Sequence, residues 1–134
     1  MNKFNLERFV VAQNQEKRGY FNALEEVRTG LKKEHWIWYI FPQEKGLGSS
    51  YNSEFYGLDG KQEAREYLNH ALLGPRLLDI TRAMAHHKHK DAIVIFKDDA
   101  KKVRSCMKIF ASVDESEEQL FQQVLTDFKF PKFN

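Results

Sequence analysis

The chain has 134 residues, a formal net charge of +2, 42% hydrophobic residues and 30% charged residues. That is the length of one domain, and it can bury roughly two-thirds of its unfolded surface without a metal or disulfide staple. The composition excludes a disordered chain, and the charge is too small to argue for a nucleic-acid or membrane-surface partner.

The 11 phenylalanines point to a core built with aromatic rings. Cys106 stands alone and has no internal disulfide partner, which favours a reducing compartment. The opening "MNKFNLERF" has no signal-peptide apolar region, because charges interrupt it at once. The longest apolar run, Trp36 to Phe41, is far short of the ~20 residues needed to span a bilayer. A cytoplasmic protein without membrane contact is expected.

Leu6, Phe9 and Val10 have helical spacing, with Asn5 placed to cap the start. Tyr20, Leu24, Val27 and Leu31 repeat the period. Glu25 and Glu26 fall early and Lys32 and Lys33 late, complementing a helix dipole, and Gly30 is expected to loosen the last turn. "HWIWYIF" has no period and ends at Pro42. No partner strand is visible, so it reads as a short buried helix. The glycine-containing segment after it reads as a loop.

Asp59 and Gln62 have capping-box spacing before "EAREYLNH", a short helix burying Ala64, Tyr67 and Leu68. Gly74 and Pro75 punctuate the chain. Leu73, Leu77, Ile80 and Met84 then predict a helix running to about His86. "HHKHK" reads as a loop. "AIVIF", Ala92 to Phe96, is either a buried helical turn or a lone extended piece. Val103, Cys106, Met107 and Phe110 form the next stripe, with Asp98 and Asp99 as its cap. Ser116 and Gln119 have capping-box spacing before Leu120, Phe121, Val124, Leu125 and Phe128, and Pro131 closes the last helix. There is no repeat, linker or low-complexity segment. The expectation is one all-α domain over residues 1–134, compact, bundle-like and without an extended sheet.

"RFVVAQ", "ALEEVRTGLKKE", "HWIWYIFPQEKGLGSS", "EAREYLNHALLGPRLLD" and "DDAKKVRSCMKIFA" together resemble the domain of unknown function 1810 family, from Leu6 to about Phe128. The His-Trp-hydrophobic-Trp…Phe-Pro-Gln…Gly-Leu-Gly string is long and rare. The resemblance implies a compact, single-domain, all-helical protein and carries no established activity. Some members bear the label calpastatin-like, and nothing in these residues supports protease inhibition. The chain departs from the family pattern at Cys106, which follows Ser105 where a second serine is usual, and at Lys108, where a small hydroxyl residue is usual. Its tail, "FKFPKFN", replaces a Gly-rich one.

The segment His35–Ser50 is the most site-like in the chain. His35 suits acid–base chemistry, or it anchors a loop through its ring N–H. Trp36 and Trp38 are about 200° apart on a helix, so one belongs to the core and the other is free to stack on a ligand, unless both are core. Gln43 could read a ligand through its amide or tie down the loop. Gly46, Gly48 and Ser49 offer backbone N–H groups and a hydroxyl to an anion, or they serve a turn needing positive φ. The family resemblance picks out Arg76 and Lys102 as cations for a phosphate or carboxylate. Asp99, Lys102 and Ser105 share a helix face.

His86, His87 and His89 lack the spacing and cysteine partners of a metal site, so neither a metal nor a cofactor is expected. Cys106 lies in an apolar stripe and reads as core. The leading expectation is a small-molecule protein or enzyme with a nucleotide-like or phosphorylated, anionic ligand, walled by Trp38, Gln43, Gly46, Gly48, Ser49, Arg76, Asp99, Lys102 and Ser105, with His35 as the candidate catalytic group. The alternative is an interaction module presenting Tyr39, Phe41 and the "FKFPKF" tail to a protein partner whose identity the sequence leaves open.

Overall fold

The computed structural model describes residues 4–88 and 91–131. Its elements in chain order are α1 (Glu7–Gln13), α2 (Tyr20–Thr29), α3 (Ile37–Ile40), α4 (Tyr51–Tyr56), α5 (Gly60–Asn69), α6 (Leu73–Ala85), α7 (Ala92–Phe96), a 3-10 turn (Lys97–Asp99), α8 (Ala100–Ala111) and α9 (Leu120–Asp127). Among the described residues there is no strand. Two isolated bridges, Glu44 with Leu58 and Asp91 with Lys129, are the extended pairings. No helix there is long and apolar enough to cross a membrane.

The apolar stripes create the packing. Leu73, Leu77, Ile80 and Met84 bury one face of α6, and Val103, Cys106, Met107 and Phe110 bury one face of α8. α6 packs on α2, α5 and α9, while α8 packs on α5, α7 and α9. The phenylalanines do build the core. A file of rings runs from Phe9 edge-on to Tyr67 (5.0 Å), on to Phe110 (5.5 Å) and Phe121 (5.6 Å). A second file joins Trp36, Phe41 and Phe96. Each fully buried ring removes a large apolar area from water, which dominates the stabilisation.

"HWIWYIF" is the short buried helix α3, and "AIVIF" is the helical turn α7 rather than an extended piece. The polar segment after Pro42 is not all loop. Ser50 Oγ accepts the Ser53 N–H at 3.1 Å and starts α4, a helix the broken apolar pattern concealed. Gly30 ends α2 outright, and Leu31 beyond it is exposed.

The expected caps are replaced by other bonds, some local and some from far along the chain. Asn5 makes no side-chain cap to α1; its carbonyl accepts from Arg8. The Asp59–Gln62 box is not formed. Glu63, one residue later, accepts the Asp59 N–H at 2.7 Å and pairs with Arg8 at 2.7 Å. Asp99 precedes α8, but its carboxylate turns away to two lysines. Gln119 precedes α9 in the left-handed region (φ 51°), and its amide donates to the Ser116 carbonyl. In "HHKHK", His87 Nε2 lies 3.0 Å from the Val27 carbonyl at the end of α2, whereas His89 and Lys90 fall outside the described residues.

Candidate functional site

Glu26 sets the position of the His35–Ser50 segment. It is buried in α2, and its Oε1 accepts the N–H groups of Lys33 (2.6 Å) and Glu34 (3.0 Å) and the indole N–H of Trp36 (3.0 Å). That carboxylate fixes the chain just ahead of His35 and holds Trp36 in the core. Trp38, two residues on, emerges on the other side of α3 and is half-buried. The neck of the next segment closes where Leu58 donates to the Gln43 carbonyl and accepts from the Lys45 N–H, both at 2.8 Å.

Between this segment and α8 lies a cavity of about 340 Å³, lined by Trp38, Gln43, Glu44, Leu47, Gly48, Ser53, Tyr56, Gly57, Asp98, Lys101, Lys102 and Ser105. Its size falls near the low end of the roughly 300–1,000 Å³ range of small-molecule sites. Lys102 Nζ sits 5.1 Å from the Trp38 ring centroid and 2.8 Å from Asp99 Oδ1. The other Asp99 oxygen takes Lys32 at 2.9 Å, and Lys32 lies over the Trp36 ring at 4.9 Å. Burial raises the Asp99 pKa, but the hydrogen bonds from Lys102 and Lys32 outweigh it and hold the carboxyl below its ordinary value.

A second cavity of about 420 Å³ adjoins the first across Trp38 and Tyr56, which line both. Its other walls are Gln15, Arg18, His35, Ile37, Tyr39, Asn52 and Asp99. Burial raises the Tyr56 and Tyr39 hydroxyls above the usual tyrosine value, so both remain protonated donors at neutral pH.

Of the residues expected at one site, Trp38, Gln43, Gly48, Lys102 and Ser105 meet in the first cavity, and His35 and Asp99 face the second. Three do not line either. Gly46 is exposed with φ 98° and serves the turn. Ser49 is exposed just before the Ser50 cap. Arg76 lies against α2, donating to Gln13 Oε1 at 3.2 Å with its guanidinium over Tyr20 and Phe21. Gly48 lies close to α4: a Cβ there would come 2.7 Å from Ser53 Oγ, so that hydroxyl would have to turn aside. Tyr56, Lys101 and Arg18 were not expected. Only the adjacency of Lys101 to Lys102 signalled one of them, since α4 was not foreseen. The surface expected of Tyr39 and Phe41 is absent, because both are buried. Of the tail, Phe128 is buried, while Lys132 and Phe133 fall outside the described residues. Among the described residues the exposed aromatic side chains are Phe21, Tyr51 and Phe55. Among the described residues no three His, Cys, Asp or Glu side chains gather so as to hold a metal ion. Cys106 is buried, and burial pushes its thiol well above the ordinary value.

The fold and cavities define an all-helical protein with an aromatic-walled surface cleft beside α8. The chain belongs to the family described as Protein of unknown function (DUF1810), whose model matches residues 3–132. It is similar in structure to the conserved hypothetical protein Rv1873 from Mycobacterium tuberculosis, with a TM-score of 0.85 and 38% identity over 95% of this chain and 89% of that one. No curated protein matches the chain.

Proposed function

We propose that this protein is a single-domain cytoplasmic binder of a small, nucleotide-like or phosphorylated anion, seated in the cleft between residues 38–57 and α8. The observation that carries the reading is convergence. Trp38 from α3, Gln43 and Gly48 from the following segment, and Lys102 and Ser105 from α8 are distant in sequence and line one cavity. An indole offers a stacking surface, an amide and a hydroxyl offer directed hydrogen bonds, and an ammonium offers charge. The buried, unpaired Cys106 suits a reducing compartment.

A thermal-shift screen of nucleotides and phosphorylated metabolites tests the reading. A ligand at 100 times its Kd adds about 2.7 kcal/mol of stability. Trp38→Ala and Gln43→Ala should each abolish the shift while the variants stay folded. A screen without any stabilising compound, or a shift that survives Trp38→Ala, refutes it.

A further inference from the structure

The two cavities that meet at Trp38 and Tyr56 differ in how their cations are held. In the first, Lys101 and Lys102 face Glu44 and Asp98, two charges against two. Its cationic end is further tied down, because Lys102 is bonded to Asp99 and rests over Trp38. The rest of its lining includes Trp38, Tyr56 and Leu47, which suit the faces of a flat ring.

In the second cavity the charged lining is also balanced, Arg18 against Asp99, but the two are not paired with each other: both Asp99 oxygens are bonded, to Lys32 and Lys102. Arg18 pairs outside that lining. Its ion-pair partner, Glu34, is 4.0 Å away, and both side chains are substantially exposed, at 56% and 37%. An exposed contact of this kind contributes little, so an arriving anion displaces it at small cost. The guanidinium presents several donors in a plane, the geometry that phosphate oxygens accept. His35 and Asn52 line the same cavity with further nitrogen donors.

From this asymmetry we infer that the second cavity is the phosphate subsite of the cleft: a ligand lays its ring beside Trp38 and Tyr56 in the first cavity and places its phosphate against Arg18 and His35 in the second. The inference rests on the reading of the cleft as a nucleotide-like site and adds which end of the ligand goes where. It makes Arg18, far from the "HWIWYIFPQEKGLGSS" string in character, the phosphate-recognising residue. Lys101 and Lys102 do not take that part.

The test compares each of the four common ribonucleosides with its 5′-monophosphate by titration calorimetry on the intact protein at low ionic strength. The expected result is at least one base for which the monophosphate binds tenfold or more tightly than the nucleoside. Arg18→Gln should collapse that ratio towards one, and Arg18→Lys should retain part of it. Lys101→Gln, and Lys17→Gln outside both cavities, should keep it. A ratio of one in the parent protein overturns the inference but leaves the nucleoside site standing. So does a ratio that survives Arg18→Gln or vanishes in Lys101→Gln. If neither nucleosides nor monophosphates bind at millimolar concentration, the underlying reading falls and the inference with it.

Discussion

Glu26 Oε1 lies 3.0 Å from the indole Nε1 of Trp36, and both side chains are buried. The contact separates two tryptophans that look alike in sequence. Trp36 belongs to the scaffold, and Trp38 belongs to the cleft. Trp36→Ala should cost about 3–5 kcal/mol, the usual loss for a buried aromatic. Trp38→Ala, half-exposed, should cost about 1–2 kcal/mol. Glu26→Ala removes the acceptor of four N–H donors, on Lys33, Glu34, Trp36 and Asn22, and should cost about 3 kcal/mol or more. Urea denaturation measures all three, and equal losses at the two tryptophans would contradict the assignment.

Asp99 joins Lys32, just beyond α2, to Lys102 on α8. Its folded pKa is depressed below the ordinary 3.8. A depressed carboxylate stabilises the fold above its unfolded pKa, and that stability is lost as pH falls through the folded value. Asp99→Asn should therefore cost about 1–2 kcal/mol at neutral pH, discounted for partial exposure. The gap from the parent protein should narrow as pH drops below about 4. A gap that stays constant down to pH 2 would show that charge is not the source.

Gly46 and Gly48 should fail differently. Gly46→Ala places a Cβ in open space on a residue with φ 98°, so it should lose about 1 kcal/mol and keep ligand binding. Gly48→Ala brings a Cβ to 2.7 Å from Ser53 Oγ and forces that hydroxyl, which lines the cavity, to turn. It should weaken ligand binding more than stability. Calorimetric binding beside thermal melts distinguishes the two.

Cys106 is fully enclosed, and its thiol is pushed well above the ordinary value by burial. The thiolate is the reactive form. An aromatic disulfide reagent should label it only through opening of the fold, at a rate that climbs with urea. Rapid stoichiometric labelling of the native protein would place the thiol at the surface.

The helices with sustained 3.6-residue stripes were legible in the sequence because burial on one face imposes that period. The stripe of α8 is an example, with Val103, Cys106, Met107 and Phe110 all enclosed. The end of α6 at His86 was also legible, but the expected N-terminal caps were not. A cap is chosen by whichever partner tertiary packing supplies, and local spacing cannot see Arg8 arriving at Glu63 from 55 residues away. The site was partly legible. Trp38 and Gln43 stood out by residue type; the family resemblance picked out Lys102 and also Arg76, while nothing in the letters marked Arg18. Only the fold puts Arg76 against Tyr20 and Arg18 beside His35.

The paired hydrogen bonds at Leu58 make the outer wall of the cleft a module with its own hinge point. Gln43 and Lys45 are fastened to Leu58, which is itself enclosed in the core, so the intervening span begins and ends at one fixed place. A span anchored so tolerates growth: each doubling of a flexible loop costs only about 0.6 kcal/mol of closure entropy. Residues 46–49 are all exposed, and an insertion there leaves the anchored neck and the aromatic files in place. Relatives could therefore diverge in what they admit by exchanging a few residues at this tip, while the helices that hold Trp36 and Trp38 stay as they are.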